Sequence, residues 1–453
     1  MDKLSLTEVA QVTAADKNSD AEIFFTGVTT DSRKISAGSL FVALKGEKFN
    51  GEDFATESLR KGAAAVLVNK NFDKNLDGVV LKVDDTLTAY RQIAGSWRNR
   101  FDIPVVTVTG SNGKTTTKDL TAAVLATLGK IKKTAANFNN EVGVPLTLLE
   151  LNENHKAAVV EIGMRGLGQI AELAKFVKPT IGIVTNVNET HIELLGSLEN
   201  IAQAKGELVE AIGGGGTVIL NGDDPRTLAM KNRAADGVRV LTYSLENPAA
   251  DFVVKKIVIS NVSTEFVMSF HGREYNFEIP MLGRHNVSNA LAAIAAGYSV
   301  GLSVEEVRRG LSTLATTKMR FEVIRRDGLT IVNDAYNASP ASMRVALRTT
   351  AEIYDGRKIA VLGDMLELGD ISEKVHREVG AQLVENNFDT LVALGELGKF
   401  IAAGARDAGL KNVHTVDTHE DAAKKILELV RDGDMILFKA SHSMHMEKII
   451  ELI

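Results

Sequence analysis

The feature that most constrains this chain is a repeated alternation of short apolar runs with helical patterns. From residue 103 the runs are "IPVVTVTG", "KAAVVEIG", "PTIGIVTNV" and "GTVILNGDD". A second series begins near Thr317 with "GLTIVNDAY", "KIAVLGDM", "DTLVALGE" and "DMILFKA", separated by stretches such as "HREVGAQLVEN" and "EDAAKKILELV". A strand made of consecutive β-branched residues is buried on both faces, so alternation with helices predicts mostly parallel sheets covered by helices. Ligands of such sheets sit at the carboxyl ends of the strands. Before residue 100, shorter runs ("GSLFVAL", "AAAVLV", "GVVLKV") between Gly- and Asp-rich turns read as a small α/β domain. With 453 residues the chain is too long for one core. Three domains are expected, over residues 1–100, 101–315 and 316–453. The "GGGG" of residues 213–216 reads as a helix-to-strand turn.

Lys+Arg total 52 against Asp+Glu 58, a net charge of -6. That balance argues against nonspecific nucleic-acid binding, which needs basic surface. With no cysteine, thiol catalysis, disulfides and Cys-ligated metal centres are excluded. The first residues, "MDKLSLTEVAQVTAADKNSD", have neither the basic nor the apolar segment of a secretory signal. No apolar run approaches the roughly 20 residues that cross a bilayer. A cytoplasmic protein without membrane insertion is expected.

The run "VVTVTGSNGKTTTKDL" is a phosphate-binding loop of unusual length. The general form is G-x-x-x-x-G-K-[ST], whereas here only Ser111 and Asn112 separate Gly110 from Gly113-Lys114. Gly110 and Gly113 let backbone N–H groups turn toward an anion. Lys114 places a charge at the β- and γ-phosphates, Thr115 offers a hydroxyl to Mg²⁺, and Thr116 continues into a helix whose dipole faces the phosphates. The loop predicts ATP binding; by itself it does not separate kinase, ATPase and ligase.

Glu161 ends the strand run "AAVVEIG", where a metal-binding carboxylate or a turn carboxylate would sit. His191, in "TNVNETHIELLGS", follows another strand end; a lone histidine is more often structural. Lys205 is odder. Ile201, Leu208 and Ile212 place it within the apolar stripe of its helix. Snorkelling from the edge of the stripe is the usual account, and a partly buried lysine of lowered pKa, able to form a carbamate with CO₂, is the alternative.

Together these residues resemble the ATP-dependent Mur ligase family, which builds the peptide of bacterial cell-wall precursors. "TGSNGKTTTK" is similar to that family's loop. The resemblance implies a small α/β N-terminal domain, a central P-loop-type parallel-sheet ATPase domain and a C-terminal Rossmann-like domain. It makes Glu161 and His191 ligands of a second Mg²⁺ beside the one at Thr115. It also makes Lys205, in "AKGE", the position carbamylated in this family. Residues 30–54, "TDSRKISAGSLFVALKGEKFNGEDF", resemble the domain that holds the uridine diphosphate sugar, with Asp31, Ser32, Arg33 and Gly46 as contacts. "ANFNNEVGVPLTLL" brings Asn139 and Asn140 to the substrate. "GRHNVSNALAAIA" brings Asn286 to adenine, and "KMRFE" and "NDAYNASP" bring Arg320 and Asp334 to the ribose and phosphates.

Within the family, "DAYNASP" followed by "LGDMLELG" resembles the member that adds D-alanyl-D-alanine to a UDP-N-acetylmuramoyl-tripeptide. The third-residue-adding ligase typically reads "DYAHTPD" with a "DNPR" motif, absent here, and folylpolyglutamate synthases lack the "DSR…LFVALKG" domain. "FKASHSMHMEK" departs from the pattern: Ala440 and His442 stand where many relatives have Gly and Arg, and His442 is given no catalytic role. The implied reaction is attack of a terminal carboxylate on the γ-phosphate, then displacement of phosphate from the acyl phosphate by the dipeptide amine. The resemblance further implies closure of the third domain over the ATP, and a monomer is expected. A phosphate-loop scaffold without chemistry and a plain ATPase or kinase are the competing classes. Neither needs the sugar-nucleotide domain together with Lys114, Glu161, His191 and Lys205.

Overall fold

The structure is a computed structural model that describes residues 4–314 and 318–453. The boundary expected between residues 315 and 316, and the start of the second series near Thr317, lie outside the described residues.

Besides a two-stranded antiparallel pair, Leu4–Ser5 with Phe24–Phe25, three larger sheets follow one another along the chain. The first has five strands, in the order Asp16–Lys17, Val79–Val83, Ala65–Asn69, Leu40–Val42, Val28–Thr29. All but the first of these run parallel. The second has nine strands. Lys130–Lys133, His155–Glu161, Val105–Thr109, Ile181–Val184, Thr217–Asn221, Arg239–Ser244 and Phe252–Ile259 are parallel neighbours in that order. Thr264–Phe270 and Arg273–Ile279 then add an antiparallel edge. Val105–Thr109 and Ile181–Val184 are wholly buried, as their β-branched runs require.

The third sheet has six strands, Glu322–Arg326, Leu329–Asn333, Met435–Lys439, Lys358–Gly363, Thr390–Leu394 and Asn412–Val416. Only the first is antiparallel to its neighbour. It joins the next strand through Asp327 and Gly328, both at positive φ (51° and 78°), the backbone that a two-residue hairpin demands. The molecule is α/β throughout. Residues 213–216 form the turn between helix Leu198–Glu210 and strand Thr217–Asn221, as read from the sequence.

The first two sheets share one core, although each also has an apolar cluster of its own, around Phe41 and Val66 in the first and around Val106 and Leu120 in the second. Helix Thr86–Arg98 is capped by Asp85, whose carboxylate accepts the Leu87 and Thr88 N–H groups, and it packs against helices Gly143–Leu149 and Gln169–Val177. One apolar cluster therefore runs from Leu4 and Phe25 through Tyr90 and Trp97 to Val144, Leu173 and Leu208. The Trp97 indole N–H donates to the Leu151 carbonyl at 3.0 Å, and Arg98 donates to the Val177 carbonyl at 3.1 Å. Trp97→Ala is expected to cost about 3–5 kcal/mol. Trp97 is the sole tryptophan, so urea unfolding is best followed by far-UV circular dichroism; an unchanged midpoint would contradict the shared core.

Candidate active site

The phosphate loop leaves the carboxyl end of Val105–Thr109, the third strand from one edge of the nine-stranded sheet, and enters helix Lys114–Leu125. Its two glycines are fixed by space as well as by conformation. At Gly110 (φ 147°) a Cβ would lie 1.8 Å from Thr185 Oγ1; at Gly113 (φ 79°) it would lie 2.5 Å from Asn289 Oδ1. The segment after Ile181–Val184 clamps the shortened loop. The Ser111 N–H donates to the Asn186 carbonyl (2.9 Å), the Asn112 N–H to Asn186 Oδ1 (2.8 Å), and Thr185 Oγ1 to the Asn112 carbonyl (2.6 Å). The half-buried Lys114 ammonium donates to the Gly110 and Ser111 carbonyls at 2.8 and 3.0 Å. Burial lowers its pKa, partly offset by the Glu161 carboxylate.

The loop forms part of a cleft of about 970 Å³ whose walls come from all along the chain. Ser111, Asn112, Gly113, Lys114, Thr115, Thr116, Asn139, Asn140, Glu161, His191, Asn286, Arg320 and Asp334 all line it. Residues just before the third sheet's first strand and just after its second reach the loop directly. Arg320 donates to Thr115 Oγ1 at 2.8 Å while its guanidinium stacks 3.9 Å over the Tyr336 ring. Ser339 Oγ donates to Asn112 Oδ1 at 3.1 Å. The Asp334 carboxylate accepts from the buried Lys439 ammonium (2.6 Å) and from the Phe321 N–H (3.0 Å). Asn286 donates to the Leu282 carbonyl and accepts from Asn289.

His285, next to Asn286, meets the third domain through the Phe321 ring (5.9 Å, edge-on) and the Thr349 hydroxyl (3.4 Å). Burial pushes its pKa from 6.5 to about 4, against the opposing pull of Asp334. Within that window the unfolded chain takes up a proton that the folded chain refuses, so stability falls as pH drops from 6.5 toward 4. His285→Asn should flatten the fall; equal slopes in urea titrations of the two proteins would contradict it.

Glu161 sits at the end of His155–Glu161 with its carboxylate buried. Oε1 accepts from Asn139 Nδ2 at 2.7 Å, and Oε2 is buried without a partner. An orphaned carboxylate oxygen in a cleft wall beside a phosphate loop is a fitting cation ligand. Among the described residues no group of three or more His, Cys, Asp or Glu gathers into a metal cage. His191, at φ 66°, bonds through Nδ1 to the Glu367 carboxylate, which also accepts from Arg165 at 2.7 Å. Burial lowers the pKa of His191 against the opposing pull of the Glu367 carboxylate, with smaller lowering contributions from Lys114 and Lys205.

Lys205 is buried in helix Leu198–Glu210 and does not line the cleft. Its ammonium has no hydrogen-bond acceptor among the described residues. Burial first, and the Lys114 charge second, push its pKa well below the ordinary lysine range. Lys205 is thus enclosed in the helix packing rather than snorkelling from the edge of the stripe.

The first domain's predicted contacts lie apart from the cleft lining. Asp31 grips its neighbour Arg33 through both oxygens (2.9 and 3.0 Å), which holds its carboxyl at about 2. The Ser32 carbonyl accepts from Lys61, and Gly46 lies under the Phe49 ring, which a Cβ would meet at 2.5 Å. The sequence reading missed Glu367 and Arg165, although "LGDMLELG" and "EIGMRG" both stood at strand ends. It also missed Lys439, Tyr336 and Ser339. His442 does line the cleft, its ring 5.3 Å from that of Tyr336.

Family models match in series: "Mur ligase family, catalytic domain" over residues 24–97, "Mur ligase middle domain" over 108–297 and "Mur ligase, glutamate ligase domain" over 319–442. The chain belongs to the Mur ligase family. Among this family it is 40% identical over 451 residues to the UDP-N-acetylmuramoyl-tripeptide--D-alanyl-D-alanine ligase of Bacillus subtilis, covering 99% of this chain and 97% of the relative. The crystal structure of MurF from Acinetobacter baumannii superposes with a TM-score of 0.91 at 29% identity, covering 99% of this chain and 98% of that one. MurF ligase from Thermotoga maritima in complex with ADP gives 0.85 at 28% identity, covering 94% and 96%. Among the described residues of this Mur ligase, no helix is long and apolar enough to cross a membrane.

Proposed function

We propose that this chain is an ADP-forming ligase that joins D-alanyl-D-alanine to UDP-N-acetylmuramoyl-tripeptide, giving the pentapeptide precursor of peptidoglycan. It would do so in the cytoplasm and as a monomer. The reading rests on one observation above all: Arg320, beyond the central sheet, is bonded to Thr115 of the phosphate loop, in a cleft whose wall carries the unpartnered Glu161 oxygen. Whole-length similarity to ligases named for this reaction, and to a MurF bound to ADP, supports it.

Gly110, Ser111, Asn112, Gly113, Lys114, Thr115 and Thr116 cradle the ATP phosphates in this reading; Asn286 meets adenine, and Arg320 and Asp334 the ribose and phosphates. Asp31, Ser32, Arg33 and Gly46 hold the uridine diphosphate sugar, and their distance from the cleft suits a substrate long enough to span two domains. Asn139 and Asn140 meet its peptide end. Thr115, Glu161 and His191, with a carbamylated Lys205 in support, would hold Mg²⁺, which would supply positive charge where two anions approach.

A carboxylate oxygen attacks the γ-phosphorus and ADP leaves; Lys114 balances charge on the phosphates at that step. The dipeptide amine then attacks the acyl carbon, loses a proton, and phosphate departs with the bridging oxygen. No covalent enzyme nucleophile is needed. Release of phosphate from ATP should require both the uridine-linked tripeptide and D-alanyl-D-alanine. Steady release with either absent would overturn the proposal.

A further inference from the structure

The loop of residues 364–368, after strand Lys358–Gly363 of the third sheet, reaches across to the turn that carries His191. Glu367 Oε2 bonds to His191 Nδ1, Glu367 Oε1 accepts from Arg165 at 2.7 Å, and the Glu367 carbonyl accepts the Glu193 N–H at 3.4 Å. Both residues stand at positive φ, 66° for His191 and 61° for Glu367. A left-handed backbone at a non-glycine residue costs energy and persists where its surroundings fix it, a pattern that clusters at functional sites. Two such residues facing one another across a domain boundary is more than an exposed ion pair requires.

Arg165 and Glu367 lie in partly open positions (side chains 72% and 32% exposed), so their pairing by itself contributes little. The hydrogen bond to the imidazole has a more specific consequence. A carboxylate only accepts, so Nδ1 carries the hydrogen and Nε2 is left with its lone pair. Metal-ligating histidines commonly donate their other ring N–H to a carboxylate, which fixes tautomer and ring orientation.

Building on the reading of His191 as a cation ligand, we infer that Glu367 is the positioning residue for that imidazole, supplied by the third domain, so that the cation position at Glu161 and His191 is complete only when the third domain is docked. Docking and cation binding are then one event. An open chain offers Glu161 and an unoriented histidine, whereas the docked chain offers Glu161 and a histidine held by Nδ1.

The test is Mn²⁺ titration of the full chain with a non-hydrolysable ATP analogue, read by electron paramagnetic resonance, with thermal melting as the check on folding. Glu367→Ala should weaken Mn²⁺ binding by about 10–100-fold, and Glu367→Gln, close in size, by less. Arg165→Gln removes the other half of the contact and should leave Mn²⁺ affinity within about threefold of the parent, because His191–Glu367 survives it. Unchanged affinity in both Glu367 variants, with His191→Ala weakened, would overturn the role of Glu367 alone. Loss in Arg165→Gln equal to that in Glu367→Ala would also overturn it, in favour of a simple strap. Unchanged affinity in His191→Ala would instead overturn the ligand assignment on which the inference rests. If Glu367→Ala melts early, Glu367→Gln decides by the same readout.

Discussion

Lys114→Ala should lower phosphate release by at least about 10²–10³-fold, the usual consequence of removing a fixed charge from developing phosphate charge. Lys114 stands at the first residue of its helix, with its ammonium held by the Gly110 and Ser111 carbonyls. Those carbonyls place the charge at the mouth of the loop before any substrate arrives, so little reorganisation accompanies the reaction. The variant should still bind the uridine nucleotide, because Asp31, Ser32, Arg33 and Gly46 lie apart from the cleft. Calorimetric titration with that nucleotide and phosphate assays with all three substrates separate the two effects. Loss of both together would mean that the first domain's contacts depend on the loop.

The second large effect is expected at Lys205. Its amine is buried, without an acceptor among the described residues, and held by burial well below the ordinary lysine range. A neutral amine of this kind adds CO₂ to give a carbamate and releases a proton, turning an uncharged buried group into an anion able to face a cation. Lys205→Ala should therefore lose about 100-fold or more in turnover, and a small carboxylate such as acetate should restore part of it. Full activity in the variant, or loss that no carboxylate repairs in a normally folded protein, would remove the carbamate from the account.

Much of the fold was legible because buried parallel strands announce themselves as β-branched runs: the strands quoted for all three regions are present. The antiparallel edge at residues 264–279 was not read, since each strand is half exposed and its alternation is weaker than a buried run. The core shared between the first two sheets was equally hidden. It depends on Tyr90 and Trp97 meeting helices that lie far along the chain. In the site, Lys114 and Thr115 were readable from local spacing, because a loop between strand and helix is a local object. Glu161 and His191 were weak singly and gained meaning only as a group. Glu367 could not be read as a partner of His191, since 176 positions separate them and only domain docking joins them. Lys205 was the intermediate case: helical spacing placed it in the apolar stripe, and the structure shows the burial that spacing left open.

The most direct measurement of the central claim follows one oxygen. The uridine-linked tripeptide is prepared with ¹⁸O in its terminal carboxylate, and the phosphate released during turnover with ATP and D-alanyl-D-alanine is analysed by mass spectrometry. Attack of that carboxylate on the γ-phosphorus, followed by amine displacement, puts one ¹⁸O into each phosphate. Phosphate free of the label would mean that water attacks ATP, and the cleft would then be a nucleotide switch rather than the site of an acyl-phosphate ligase.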